Sequence, residues 1–295
     1  MPELPEVQSV RQTLLPRLRG RRVVGVVTGR YPVITGDPSS HALLLGRAIR
    51  EIARHGKQLA LVPDKDVGPV VCVHLGMSGS LRYYEPAAPT GRSPQNQPPV
   101  ADPDAGDRHV HVTWRLDDGG CLRFRDPRRF GGIWTYESYS QLHAQRWGRL
   151  GPDALTITPA DLHRRLGATS RSIKAALLDQ TLIAGLGNIY VDELLFACQL
   201  HPQTPANLLP PAMIRRLVRT MRRLLSRAIA AGGSTLRDYV NGDGDTGRFQ
   251  TIHRVYGRAA QPCRRCRAPL AALVVAGRTS TFCPTCQRLQ TTTVM

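Results

Sequence analysis

From residue 21 to about 135 the apolar positions fall in short, β-branched or alternating runs: RRVVGVV, KQLALV, GPVVCVHL, RHVHVTWRL and GCLRFR. Runs of this length bounded by turn residues predict strands. Asp117-Asp118-Gly119-Gly120, between the last two runs, predicts a tight hairpin. Residues 85–107, EPAAPTGRSPQNQPPVADPDAGD, are rich in Pro, Gly and Asp with almost nothing apolar. Strand patterns continue on both sides, so this stretch predicts a long flexible surface loop within one domain. The opening MPELPEV carries neither period, and a helix is expected only from VQSVRQTLLPRL onward.

Beyond residue 155 the period changes. Thr158-Pro159-Ala160-Asp161 has the form of a helix start, with a capping Thr, Pro at the first helical position and an acid two residues later. Ile173, Ala176 and Leu177 recur at helical spacing, and a further helix follows the turn-like GLGN at 185–188. The clearest helix spans 210–231, where Ile214, Leu217, Val218, Met221, Leu224, Leu225, Ala228 and Ile229 form one apolar stripe. Arginines fill the rest of that helix, the ordinary composition of a solvated face, and Gly232-Gly233 ends it. The pattern therefore predicts a β domain, a helical domain and a small C-terminal module.

Charge narrows the function. Forty Lys and Arg stand against 22 Asp and Glu, a formal net charge of +18. Such an excess points to a polyanionic partner, because basic side chains gain by displacing counterions from phosphates. No apolar run reaches the length of a membrane span, and the N-terminus lacks the layout of a secretion signal. A soluble intracellular protein is expected.

Of seven cysteines, Cys72, Cys121 and Cys198 stand alone in apolar surroundings and read as small buried hydrophobes. The other four form two C-x2-C knuckles, Cys263/Cys266 and Cys283/Cys286, separated by 16 residues. That spacing closes a tetrahedral four-thiolate site, and full thiolate closure marks a structural Zn2+. A disulfide pair is the competing reading, disfavoured in an intracellular chain. Between the knuckles, APLAALVVAGRTSTF reads as two short strands around Gly277.

PELPEV after the initiator Met, HLGMSGSLR (74–82), DPRRFG (126–131), GLGNIYVDELLF (185–196) and the paired knuckles together resemble the bacterial formamidopyrimidine-DNA glycosylase family. The resemblance covers almost the whole chain, with each motif in the family's order. It implies an α+β chain of two domains: an N-terminal antiparallel β-sandwich, then a helical domain with a helix–two-turn–helix, followed by a four-cysteine zinc finger built as a β-hairpin. The boundaries expected are a catalytic β domain at 1–135, a linker at 136–155 and the helical DNA-binding domain at 156–232. A lesion-capping loop at 233–252 and the zinc finger at 253–295 complete the chain.

The implied activity is base excision repair: removal of oxidised purines, chiefly 8-oxoguanine opposite cytosine and formamidopyrimidines, then strand cleavage by β,δ-elimination. The partner would be double-stranded DNA carrying oxidised bases. One structural Zn2+, a monomeric state, no membrane association and a bacterial cytoplasmic, nucleoid-associated location go with it. Pro2 becomes the terminus once Met1 is removed, and its secondary amine, with the lowered basicity of an α-amino group, would form a cationic imine with the sugar. By resemblance Glu3 is the general acid at the deoxyribose ring oxygen, with a pKa raised toward neutrality. Glu6 reads as structural or electrostatic. Lys57 would hold the phosphate beside the lesion and assist β-elimination, and Arg278 would grip phosphate during δ-elimination.

Met77, Arg128 and Phe130 match the family's void-filling trio, which replaces the extruded base; Arg128 would bond the orphaned cytosine. His74 and His109 match its DNA-contacting histidines. Asn188 closes the GLGN turn, whose backbone amides and side chain would clasp a phosphate. Thr169 falls where the family often has a phosphate-binding Lys, and Arg171 is the candidate substitute. Two features favour purines over the sister group resembling endonuclease VIII, which acts on oxidised pyrimidines: the PELPEV opening, and STLRDYVNGDGDTGRFQ (234–250), matching a mobile loop that closes over the flipped base. A non-catalytic damage-binding zinc-finger protein on the same scaffold is the alternative of another class; Pro2, Glu3 and Lys57, all present, speak against it.

Overall fold

The computed structural model describes residues 2–64, 68–86 and 107–289. Most of the loop expected at 85–107 lies outside those residues. The chain divides into two units, one of Met1–Pro2, Glu6–Trp147 and Gly232–Gly247, the other of Glu3–Pro5, Gly148–Ala231 and Arg248–Met295.

Unit 1 holds helix α1 (Leu4–Leu18) from Glu6 onward and nine strands: β1 (Val23–Thr28), β2 (Ile34–Thr35), β3 (Ile49–His55), β4 (Gln58–Pro63), β5 (Val70–His74), β6 (Ser80–Tyr84), β7 (Val110–Leu116), β8 (Cys121–Arg125) and β9 (Gly132–Tyr136). They form two sheets, ordered β1-β7-β8-β6 and β2-β9-β5-β4-β3. All pairs are antiparallel except β2 with β9. Leu59, Leu61, Val71 and Val73 of one sheet share a core with Val112, Trp114, Leu122 and Phe124 of the other, giving the β-sandwich. Val7, Val10 and Leu14 of α1 join the same core. β4 and β5 are buried on both faces, so they read as continuous apolar runs rather than alternating ones. On the second face Cys72 bonds Gln58, whose carbonyl also accepts from Arg146 and Trp147.

The hairpin predicted at 117–120 joins β7 to β8, with Gly119 at φ +82° and Asp118 accepting from Gly120 N–H. The opening stretch differs from the sequence expectation, because α1 begins at Leu4 and takes in Pro5. The first turn of a helix needs no N–H donors, so a proline there breaks nothing. The segment read as a linker, 136–155, also holds structure: helix α2 (Tyr139–Gln145), capped by Ser138, and a 3-10 turn, Trp147–Arg149. One short, weakly patterned helix leaves little periodic signal.

Unit 2 contains helices α3 (Pro159–Gly167), α4 (Ile173–Leu178), α5 (Asn188–Cys198) and α6 (Pro211–Ala230), then the hairpin β10 (Ala271–Val275) and β11 (Arg278–Phe282). Thr158 caps α3, accepting from Asp161 N–H at 3.1 Å. α5 is buried on every side, as a helix through the middle of a core must be. α6 turns its apolar stripe inward and its arginines outward. The hairpin read around Gly277 is present, and its turn is the two residues Ala276-Gly277, both at positive φ. Among the described residues no helix is long and apolar enough to cross a membrane.

Candidate active site and nucleic-acid interface

Each unit contributes its own group of the sequence-predicted residues. In unit 2 the group is built on the start of α5. Gly187 N–H donates to Glu3 Oε2 at 2.7 Å, Ile189 N–H to Oε1 at 2.8 Å and Tyr190 N–H to Oε2 at 3.3 Å. Glu3 is buried, so its carboxylate uses the unpaired amides and the positive end of the helix dipole in place of water. A Cβ on Gly187 would come within 2.4 Å of that carboxyl carbon, which explains the glycine. Within the GLGN turn the Gly187 N–H serves Glu3 and the Gly185 N–H serves Gln180, while Ile189 and Tyr190 belong to the helix that follows.

Asn188, the first residue of α5, donates through Nδ2 to Thr279 O at 2.9 Å. Asp192, one turn further on, accepts from Lys174 Nζ at 2.7 Å, Ser280 Oγ at 2.9 Å and Thr281 N–H at 3.0 Å. Lys174 Nζ also reaches Thr279 O. Burial lowers the Lys174 pKa and raises that of Asp192, and their contact opposes both shifts. These bonds fix the strand that starts at Arg278, whose guanidinium is exposed and close enough to act on the charge of Lys174. The Tyr256 phenol belongs to the same group: burial raises its pKa, as does the charge of Glu3, while the Asn188 side chain lowers it. The sequence reading missed Tyr256, Lys174 and Asp192, because no local pattern marks residues joined across so much chain. Arg171 stands apart, bonded to Asp179 at 2.9 Å and to Thr169 at 3.1 Å. It shares no hydrogen bond or ion pair with Glu3, Asn188 or Arg278 among the described residues.

In unit 1, Pro2 is buried, and Lys57 sits in the two-residue turn between β3 and β4 with only 7% of its surface exposed. His74 ends β5, paired with Gln58 on one side and Gly132 on the other. Burial holds its pKa down at about 4, helped by the cations Arg146 and Lys57 and opposed by Asp126, so the ring is neutral near pH 7.

Asp126 organises the adjoining loops. It is fully buried and accepts from Ser78 Oγ at 2.7 Å, Gly131 N–H at 2.8 Å and Arg128 N–H at 3.3 Å. The loops at 75–79 and 126–131 touch backbone to backbone, since a Cβ on Gly76 would lie 2.2 Å from Gly131 N. What they present outward is Met77, 43% exposed, and Phe130, 56% exposed, with the Arg128 guanidinium 4.8 Å from the Phe130 ring. His109 lies beside them, its carbonyl accepting from Asp126 N–H.

The segment read as a mobile capping loop, 233–252, splits between the units after Gly247. Its unit 1 part is tied down at several points. Glu6 accepts from Ser234 N–H at 2.7 Å, the Tyr239 hydroxyl reaches Glu6 O, and Thr13 Oγ1 accepts from Gly242 N–H. Glu6 is thus a structural anchor of that segment.

The four knuckle cysteines bring their Sγ atoms within 4.8 Å of one another, with Cys266 and Cys283 at 3.4 Å. A tetrahedral zinc with bonds of about 2.3 Å spaces its sulfurs about 3.8 Å apart, so this donor set fits one structural zinc. Arg265 N–H and Cys286 N–H point at the Cys263 and Cys283 sulfurs, supporting thiolates.

A β-sandwich, a helical unit and a zinc ribbon define a modular zinc-finger protein. Family models tile the chain in the same order: the formamidopyrimidine-DNA glycosylase N-terminal domain at residues 1–133, the formamidopyrimidine-DNA glycosylase H2TH domain at 150–240, and the zinc finger found in FPG and IleRS at 260–289. The chain belongs to the formamidopyrimidine-DNA glycosylase family. It is 42% identical to the Thiobacillus denitrificans formamidopyrimidine-DNA glycosylase, over 98% of this chain and 100% of the relative. Identity to the Bacillus subtilis enzyme is 39%, over 97% and 99%. Among solved structures, the MutM (FPG) protein of Thermus thermophilus aligns with TM-score 0.81 and 38% identity, over 98% of this chain and 100% of that one. Lactococcus lactis Fpg, solved in complex with DNA containing an abasic site, aligns with TM-score 0.82 and 33% identity, over 97% and 99%.

Proposed function

We propose that the protein is a bifunctional DNA glycosylase and abasic-site lyase that removes oxidised purines from duplex DNA. The observation that carries this reading is the Glu3 carboxylate, held by three backbone N–H groups, in the residue that directly follows a buried Pro2. A chain end is normally frayed, and anchoring it this firmly suits a terminus that reacts.

With Met1 removed, the neutral Pro2 nitrogen attacks the sugar C1′. The glycosidic C–N bond breaks and the base leaves with the bonding pair, taking up a proton. Glu3 gives its proton to the ring oxygen as the sugar opens, and the C1′–N bond becomes a cationic iminium. That cation draws electrons from C2′, so loss of a 2′ proton expels the 3′ phosphate; a second proton loss expels the 5′ phosphate. Lys57 and Arg278 would hold the flanking phosphates, with Asn188. His74, kept neutral, and His109 would contact the strand, while Met77, Arg128 and Phe130 would fill the gap left by the extruded base. Arg171 would take a phosphate by exchanging its exposed pair with Asp179.

Borohydride reduces such an imine to a stable amine. Met-processed protein should therefore be trapped covalently on a duplex with 8-oxoguanine opposite cytosine, and the Pro2→Gly variant should trap poorly. Absence of any trapped species would sink the enzyme reading. Preferential trapping on thymine glycol duplexes would instead move the protein to the pyrimidine-specific sister group.

A further inference from the structure

A cavity of about 580 Å³ in unit 2 is lined by seven arginines and by none of the residues given a role above. Arg216, Arg219, Arg223 and Arg227 come from α6, where their spacing sets them along one edge of the helix. Arg254 follows the 3-10 turn Phe249–Ile252, and Arg264 and Arg265 lie inside the first zinc knuckle. Arginines on one helix face are ordinary. Arginines from three separate segments meeting around one cavity repel each other unless an anion sits among them.

The surroundings offset little of that charge: the four-thiolate zinc site, net −2 when loaded, lies beside Arg264 and Arg265 alone. Among the described residues the only acid on the wall is Glu193, and its carboxylate accepts from Arg254, Val255 and Tyr256 N–H at 2.8–3.0 Å. None of the seven forms an ion pair among the described residues. Their neutral contacts are few: Arg216 reaches Ala197 O and Gln199 Oε1 at 3.4–3.5 Å, and Arg265 lies over the Phe196 ring. Arg222, on the same helix but outside the cavity, behaves differently and donates to the Thr156 and Ile157 carbonyls.

We propose that this cavity is a second anion site, which takes a chain of linked phosphates: an inorganic oligophosphate or the phosphate tail of a nucleotide. Guanidinium forks match phosphate oxygens in pairs. The volume falls within the range of small-molecule sites, roughly 300–1,000 Å³, and one phosphate would engage only a few of the arginines. The cavity is lined by none of the residues assigned to the proposed lesion site, so the proposal holds whether or not the reading of Pro2 and Glu3 does.

The test uses full-length, zinc-loaded protein and calorimetric titration with inorganic tripolyphosphate at fixed ionic strength, with ATP in a parallel arm. The expected result is saturable binding of one tripolyphosphate per chain. Binding should weaken at least tenfold in Arg219→Gln/Arg223→Gln/Arg264→Gln, whose exposed positions leave folding intact, and stay unchanged in Arg278→Ala. Tenfold tighter binding of ATP would identify the nucleotide as the source, whereas equal binding would show that the phosphate chain suffices. Three outcomes would overturn the proposal: no saturable binding, wild-type affinity in the triple variant, or an equal loss of affinity for undamaged duplex DNA in that variant. The last would make the cavity a stretch of the DNA path.

Discussion

Both units fix exposed segments with a buried aspartate, and the two aspartates differ in one respect. Asp126 in unit 1 accepts from a serine hydroxyl and backbone N–H groups, and so does Asp192 in unit 2. Asp192 also holds a buried cation, Lys174, whereas Asp126 has no ion pair among the described residues. Neutral donors alone can satisfy a buried carboxylate, but a buried ammonium needs its anion. The first arrangement should degrade gently under substitution and the second abruptly.

Asp192→Asn tests the abrupt case. It leaves Lys174 charged and unmatched in the core and should cost about 3–5 kcal/mol. Adding Lys174→Met removes the stranded charge and should restore more than half of the loss. Asp126→Asn strands no charge and should cost about 1–3 kcal/mol, the range for a mismatched buried hydrogen bond. Urea unfolding of the zinc-loaded protein measures all three. If Asp192→Asn proves no worse than Asp126→Asn and Lys174→Met gives no rescue, the distinction between the anchors fails.

These anchors also mark the limit of what the sequence conveys. The zinc knuckles, the 117–120 hairpin, the Thr158 cap and the α6 stripe are local patterns, each readable within a window of a few turns. The order of β region, helical region and ribbon follows from them. The bond from Gly187 to Glu3 spans 184 residues and that from Thr281 to Asp192 spans 89, and no periodicity records such pairings. A buried acid has one faint signature, an Asp or Glu inside an otherwise apolar run, as at Asp192-Glu193 in IYVDELLF. MPELPEV was obscured by its prolines, whose helix-breaking effect does not apply within a first turn. The arginines of α6 read as solvated for a related reason: their convergence with Arg254, Arg264 and Arg265 exists only in three dimensions.

A smaller effect separates the units by pH. His74 titrates near pH 6.5 when unfolded and at about 4 when folded, so between these values the unfolded chain binds more protons. Stability from this group is complete above pH 6.5 and is lost as pH falls toward 4, by up to about 3 kcal/mol. Unfolding free energies measured at pH 7 and pH 4.5 should differ less in His74→Gln than in the parent protein. An equal difference in both would place the acid sensitivity elsewhere, with the buried Lys174–Asp192 pair of unit 2 as the next group to examine.

The smallest effect on folding belongs to what the Asp126 anchor presents. Met77 and Phe130 are large apolar side chains left 43% and 56% exposed on loops held by buried glycines and one aspartate. Their truncation removes little buried surface, so Met77→Ala and Phe130→Ala should each change stability by no more than about 0.5 kcal/mol. Under the proposed function, excision should nevertheless fall roughly tenfold or more, because a wedge offsets a few kcal/mol of base unstacking. The loss should shrink on duplexes whose target base is already mismatched, where less stacking has to be broken. Single-turnover excision on matched and mismatched duplexes, beside urea unfolding of the same variants, reads both quantities. A large loss of stability with unchanged excision would make these side chains part of the packing and would leave the rigid Asp126 loops without an exposed load to position.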